Sequence, residues 1–479
     1  MNKYLVTLWI TFGWLSSYGQ INYSLEDLIE KVKIQSTRSK EAETRKENRY
    51  WQYKYYQSNY NPQLRLQGNS PGYNRDFNQN RLDDGTIEFQ EQEQTFTSAN
   101  LSLQQPLAIS GGQVSINSDV YRWKNIPQNF SSWNSTLINI RIDQPIIGFN
   151  QLKWDKMTEP LRYEESKRSY VEEMEYISSL TVELFFDYLD AQIGYDIASF
   201  NLVRNDTIYN IEKGRYNIGT TSRDKLLQVE LQLLRSKQQL AQAKLDLQSS
   251  ELEIKTFIGL DESFSLIIPN QIPDLKVNID EAINYASANR SDFIAFERRQ
   301  LEADKQIAKA KNNRYRLDMT ASYGMTGTGQ NFVNSFEEPN NQQRLNIQFN
   351  IPIIDWGRNK ASLKTALANK KLESYVITQD QRSFLQEITT LVARFEVLKS
   401  QIEISEKSDL VAQERYNVSQ NQYLIGKIDI TNLNIALTEK DEAKRSYLEA
   451  LRSYWKAYFE LRRLTLYDFS NDELLYQED

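Results

Sequence analysis

Arg215-Tyr216-Asn217-Ile218-Gly219 is answered, 207 residues later, by Gln422-Tyr423-Leu424-Ile425-Gly426. At the same spacing Pro145-Ile146-Ile147 returns as Pro352-Ile353-Ile354. In both copies 74 residues separate the proline from the glycine, while nearly every side chain between them differs. A segment that keeps its length but not its composition behaves as a rod matched to a fixed distance, rather than as the wall of a catalytic pocket.

From Asn150 to Tyr216 the only proline is Pro160, and from Gly357 to Tyr423 there is none. Each run is therefore predicted to form one helix of about 100 Å at 1.5 Å per residue. Ile177, Leu180, Leu184, Tyr188 and Ala191 share one stripe, as do Leu391, Phe395, Leu398 and Ile402. Beyond the glycines, Leu226, Leu233, Leu240, Leu247 and Ile254 are spaced by seven, and so are Ala436, Ala443, Ala450 and Ala457. Such heptads specify coiled-coil seams, and small residues, including Ser236, Ala243 and Ser250 in the first copy, let helix axes come close. Gly219 and Gly426 suit the helix ends because glycine adopts positive φ without a Cβ clash.

The repeat continues upstream at another offset. Leu25, Asp27 and Ile29 correspond to Ile279, Glu281 and Ile283, about 254 residues on, so the first half holds roughly 47 residues between Leu64 and Pro145 that the second lacks. These regions read as strands. Leu345, Ile347, Phe349 and Ile351 alternate with Asn346, Gln348 and Asn350, and Leu317, Met319, Ala321 and Tyr323 alternate before the turn Gly324 to Gly329, giving one hairpin in the second half. In the first half Leu64 to Gln67, Asn100 to Gln104, Val114 to Asn117 and Ile138 to Asp143 predict four strands. Gln105-Pro106-Leu107 beside Gln144-Pro145-Ile146 is what a duplicated hairpin leaves behind. One apolar and one polar face fit half of a soluble sandwich. Strand length near the ~9 to 11 residues of a membrane strand, and aromatics near the strand ends (Phe96, Trp123, Phe130, Trp133, Phe149, Phe332, Trp356), favour a membrane barrel.

Composition narrows the chemistry. The 479 residues contain no Cys and no His, which removes thiol nucleophiles, disulfides and imidazole bases, and five Met give no sign of a metal relay. An enzyme, for example a carboxylate-paired glycosidase, is disfavoured because the acidic residues spread along the rods. No cofactor is expected. The formal charge is −7 without a basic stripe, which argues against nucleic acid. Residues 1–19, with Lys3, the apolar Leu5 to Leu15 and Ser17-Tyr18-Gly19, read as a secretory signal, too short in its apolar part for the ~20 residues of a spanning helix. The expected organisation is signal 1–19, first repeat 20–262, a linker and start of the second repeat at 263–292, second repeat 293–467, and an acidic tail 468–479.

The duplicated helix-strand-helix halves, the junctions Gln144-Pro145-Ile146-Ile147-Gly148-Phe149-Asn150 and Ile351-Pro352-Ile353-Ile354-Asp355-Trp356-Gly357, and the two glycine turns together resemble the TolC-like outer-membrane efflux factors over nearly all of the mature chain. The resemblance implies an α+β membrane protein: an internally duplicated homotrimer whose transmembrane β-barrel sits in outer-membrane lipid and continues into the periplasm as a long antiparallel α-helical tunnel. It implies a periplasmic adaptor protein as direct partner and an inner-membrane transporter as indirect one. Tyr216, Gly219, Tyr423 and Gly426 would lie at the adaptor-docking tip. Arg223, Asp224, Lys427, Asp429 and Asn432 are candidates for a periplasmic gate, with ion pairs between neighbouring helices closing the ring. Two departures stand out. The family usually has two strands per half, and the aspartates usual beyond the second glycine are replaced here by Asn432 and Ile435. The function expected is the outer-membrane channel of a tripartite efflux pump exporting small molecules; a type I protein or peptide secretion duct and a soluble periplasmic coiled-coil scaffold are the alternatives.

Overall fold

The computed structural model describes residues 21–269, 271–312 and 314–476. The expected signal sequence, 1–19, lies outside the described residues. The described residues divide into two compact units, one within 45–169 and 291–384, the other within 21–44, 170–290 and 385–476.

The first unit is built on a sheet. Strands β2 (Gln63–Arg81), β3 (Ile87–Leu107), β4 (Gly112–Asn125), β5 (Phe130–Ile147), β7 (Arg316–Gly329) and β8 (Asn340–Asn350) pair in that order, every pair antiparallel. The four strands expected in the first half and the single hairpin of the second thus form one six-stranded meander. Its register is set by the period-two pattern, because a slip of one residue would turn every apolar side chain to the other face. Leu64 pairs with Leu103, Leu103 with Ile116, Ile116 with Ile140, Ile140 with Tyr323, and Met319 on that strand with Ile347. The opposite face is polar. Ser102 donates to Asn117 at 2.6 Å, and Thr320 to Asp143 at 2.8 Å.

Within the same unit, the sheet is continued by the last part of α2 (Thr37–Ser58), the first parts of α3 (Gln151–Asn217) and α8 (Arg358–Leu424), and α6 (Ser291–Asn312). The proline motifs are strand-to-helix turns. In the first copy Asn150 accepts from the Lys153 amide at 3.0 Å as a helix cap; in the second Asp355 accepts from the Asn359 amide at 3.1 Å, and Gly357 takes φ 86°. Helix α6 is held to α3 by ion pairs at three levels, Lys305 to Asp155, Arg162 to Glu302 and Arg298 to Glu165, and to α8 through Arg299 with Glu373 and Asp380.

The second unit is helical. Helices α3 and α8 both have 67 residues, and the returning helices α4 (Arg223–Ile258) and α9 (Ile430–Thr465) both have 36. The constant sequence spacing is therefore a constant helix length. Of the heptad positions, Leu233, Ile254, Ala436, Ala450 and Ala457 are buried, while Leu226, Leu240, Leu247 and Ala443 are half-buried in the single chain. Charged pairs align α9 antiparallel to α3: Arg452 to Asp187 at 2.6 Å and Lys456 to Glu183 at 3.1 Å.

The core of this unit collects α1 (Leu25–Gln35), α5 (Ile279–Asn289) and the short parallel pair β1 (Ile21–Tyr23) with β6 (Phe264–Leu266) around α9 and α3. Leu28, Val32, Phe185, Ile258, Leu451 and Leu461 are among its fully buried residues. Phe264, Leu266 and Pro273 are anchored here: Tyr188 donates to the Phe264 carbonyl at 2.6 Å, Gln192 bonds both backbone groups of Leu266, and Tyr454 donates to the Pro273 carbonyl. Burial pushes the Tyr188 hydroxyl up to about 12.

The stretch from 468 on, read from sequence as an acidic tail, is folded through Tyr476. Strands β9 (Tyr467–Asp468) and β10 (Glu473–Leu474) form a small hairpin. Asp468 is fully buried because it accepts from Tyr458 at 2.9 Å and pairs with Arg462, which also binds Glu175 at 2.7 Å. Burial opposes the charge on Arg462, but the Glu175 carboxylate outweighs it and holds the guanidinium above its ordinary value.

Candidate functional site: the paired helical turns

Residues 218–222 join α3 to α4, and residues 425–429 join α8 to α9. The two turns are the same object. In the first, the Gly219 amide donates to the Tyr216 carbonyl at 3.0 Å and the Thr220 amide to the Arg215 carbonyl at 2.9 Å. In the second, Gly426 donates to Tyr423 at 3.0 Å and Lys427 to Gln422 at 2.9 Å. Both glycines take φ 77°. This is the Schellman end of a helix, in which a left-handed residue lets the chain reverse onto the last carbonyls, and it explains why glycine stands in both copies.

The next helices also begin alike. Ser222 accepts from the Lys225 amide at 3.3 Å, and Asp429 from the Asn432 amide at 2.9 Å. Asp429, a gate candidate from sequence, is thus the N-cap of α9, in the place Ser222 holds for α4. Asn432 lies in the capped turn. Arg223 and Asp224 are in the first turn of α4. Among the described residues, Arg223, Asp224, Lys427 and Asp429 make no ion pair within the chain.

The two tyrosines, equivalent in sequence, are not equivalent in space. Tyr216 is 39% exposed; Tyr423 is 4% exposed. Tyr423 packs in a cluster with Val229, Tyr416, Ile430 and Leu433, and its hydroxyl donates to Glu212 Oε1 at 3.0 Å. Arg215 pairs with the same carboxylate at 2.7 Å and donates to the Leu424 carbonyl at 3.3 Å. Burial works against ionisation of Glu212, but hydrogen bonds from Arg215, Tyr423 and Thr221 prevail and hold it below its ordinary range. Burial, with the Glu212 charge beside it, raises the Tyr423 hydroxyl.

Tyr423 is therefore a structural strut between the two turns and presents little surface to a partner. The turns present other groups instead. Ile218 and Ile425 are equivalent, and both are mostly exposed, with Leu424 half-exposed beside Ile425. Sequence reasoning found the isoleucines as repeat markers but did not assign them a surface. It missed Glu212 and Arg215, whose only signal is an acid and a base three residues apart in one repeat. Among the described residues no cluster of acidic side chains is arranged to hold a metal.

The fold has relatives among solved structures. It matches the Campylobacter jejuni CmeC outer membrane channel with a TM-score of 0.68 at 13% identity, covering 100% of this chain and 96% of that one. The outer membrane protein VceC of Vibrio cholerae matches with a TM-score of 0.64 at 14% identity, covering 92% and 95%. CusC, described in terms of folding and transmembrane channel formation, matches with a TM-score of 0.63 at 14% identity, covering 94% and 92%. The architecture is the TolC-like outer-membrane channel fold of these structures. Residues 282–465 match the family model of the outer membrane efflux proteins. By sequence, no curated protein matches it.

Proposed function

We propose that three copies of this chain form the exit duct of a tripartite efflux pump, carrying small molecules through the outer membrane after an inner-membrane transporter loads them. The observation that carries this reading is the pair of helical turns closed by the same hydrogen bonds, each placing an exposed isoleucine, Ile218 or Ile425, beside a glycine-closed helix end. An exposed apolar side chain on a rigid turn is a ready contact for a partner. In a trimer six such turns would offer a ring for a periplasmic adaptor. Tyr216, Gly219 and Gly426 belong to that surface, and Tyr423 supports it from below.

Arg223, Asp224, Lys427 and Asp429, without ion-pair partners among the described residues of their own chain, would meet charges of neighbouring copies at the tunnel mouth. Exposed pairs are worth only about 0 to 1 kcal/mol each, so a closed ring made from them yields when an adaptor offers better contacts. Residues 1–19 act in this reading as the secretory signal, with 20–262 and 293–467 as the two structural repeats.

The deciding experiment is the mass and location of the mature protein after membranes are separated and extracted in mild detergent. A species of three chains in the outer-membrane fraction, falling to one on boiling, is expected. A soluble monomer or dimer in the periplasm would overturn the channel and favour a scaffold.

A further inference from the structure

We propose that all six strands enter the membrane wall, so that three copies close an eighteen-stranded barrel instead of leaving the additional hairpin outside it. The inference rests on the trimeric channel reading above.

The apolar face of the sheet carries the argument. It runs unbroken across the strand pairs, from Leu64 and Leu66 on β2 through Leu103, Ile116 and Ile140 to Ile347 and Phe349 on β8. In the single chain this face is bare: Leu66 is 75% exposed and Phe349 70%. A water-soluble hairpin hanging outside the wall would have no reason to continue an apolar band in register with its neighbours. The edge strand β2 joins the band through Leu64 and Leu66, and the inner strand β5 through Ile138, Ile140 and Ile142.

The additional strands are also not detachable. Strands β3 and β4 are interior to the sheet and paired along nearly the whole of β4. The turn between them is fastened to the strand-to-helix junction: Asn150 donates to the Ala108 carbonyl at 2.9 Å and Gln144 to the Ser110 carbonyl at 3.1 Å. Gln105 donates to the Tyr60 carbonyl at 2.9 Å.

At the other end, β2 and β3 run on beyond the start of β4 pairing at Gln94 and Asn125, and there the character of the apolar face changes. Tyr73 donates to Glu93 at 3.0 Å and Arg75 pairs with Glu91. From Leu64 to Tyr73 the strand spans about nine residues, roughly 30 Å, comparable to the thickness of a hydrocarbon core, and this face holds Leu64, Leu66 and Tyr73 with Gly68 and the irregularity at Asn69/Gly72 between them. Charge on this face begins beyond Tyr73, at Arg75 opposite Glu93.

Closure follows from the strand count. With six alternating strands, β2 and β8 run in opposite directions, so β8 of one copy can add to β2 of the next in the antiparallel manner of every other pair. The two edges differ, so the contact is head-to-tail and closes after three copies, leaving no unpaired edge in the bilayer. Barrel diameter grows roughly in proportion to strand number, so the wall would be about one and a half times as wide as a twelve-stranded one, and about 35 Å across at the backbone.

The chain has no cysteine of its own, which makes cross-linking a direct test. Arg65→Cys or Gln67→Cys on β2 is combined with Asn346→Cys or Gln348→Cys on β8, all on the polar face, and the detergent-extracted protein is oxidised. A covalent trimer that survives boiling without reductant, in at least one register, is expected. If the hairpin β2–β3 stands outside, β8 would instead meet β4, and Asn117→Cys with the same β8 variants would give the covalent trimer. That result overturns the wide barrel, as does a heat-labile trimer in which no β2–β8 pair cross-links. Failure of the cysteine-free protein to form any trimer overturns the channel reading itself.

Discussion

The Tyr423 hydroxyl meets the Glu212 carboxylate at 3.0 Å across 211 positions of sequence, tying the end of one repeat's long helix to the end of the other's. Its repeat equivalent, Tyr216, makes no such hydrogen bond among the described residues and stays at the surface. One tyrosine is therefore structural and the other available, and the two substitutions should separate. Tyr423→Phe should lower the stability of the helical turns by about 1 kcal/mol, the usual net worth of one hydrogen bond, seen as faster amide exchange in 205–235 and 415–440. Tyr216→Ala should leave exchange unchanged and weaken cross-linking to an adaptor.

The same contact makes the turns acid-sensitive. Glu212 has its folded pKa held below the ordinary 4.5, so its contribution is fully present above about 4.5 and is lost as pH falls through the lower folded value. Amide protection of the turns should be flat from neutral pH down to about 5 and decline below 4. In Glu212→Gln the decline should disappear, together with part of the protection at pH 7. An acid response retained in that variant would place its origin elsewhere.

Substitution can part the cap that Asp429 makes from the gate role proposed for it. Removing the cap, Asp429→Ala, should cost about 1 kcal/mol. Asp429→Ser copies the cap that Ser222 supplies in the other repeat, so the helix start should be kept while the charge is gone. If the charge helps close the tunnel mouth, Asp429→Ser raises resting conductance in planar bilayers with no loss of thermal stability, and this is the outcome expected. Unchanged conductance would leave Asp429 as a cap alone.

Gly219 and Gly426 sit at φ 77° with open space where a Cβ would go. Alanine there meets no neighbour, and its cost is the left-handed backbone alone, about 1 to 2 kcal/mol at each turn. Asparagine, which tolerates that region, should be milder than alanine at both positions. Equal effects of the two substitutions in thermal melts would indicate that the turns relax to another conformation.

Arg462 holds two buried carboxylates, Glu175 and Asp468. Arg462→Met should cost about 3 to 5 kcal/mol, because truncating one partner leaves buried charge uncompensated. The loss should appear as release of the hairpin 467–476, read by limited proteolysis, before the helices melt.

Much of this architecture is legible along the chain because helix and strand periods are local. A 67-residue run without an interrupting glycine turn, a heptad of alanines, and apolar residues at every second position each declare an element through its own backbone geometry. Gly219 and Gly426 are legible for the same reason, since a helix end needs positive φ whatever surrounds it. The cap at Asp429 has a local signal too, an acid directly before an apolar-periodic run.

What the one-dimensional pattern could not carry is which elements find each other. Equivalent tyrosines took different roles because only one repeat has an acid, Glu212, within reach of the partner helix. An apparent acidic tail became part of the core because Arg462 and Tyr458 were waiting for Asp468. The fate of the extra strands, likewise, was decided by register between segments up to about two hundred residues apart, where backbone hydrogen bonds and the shared apolar face count together, and neither is visible until the sheet has formed.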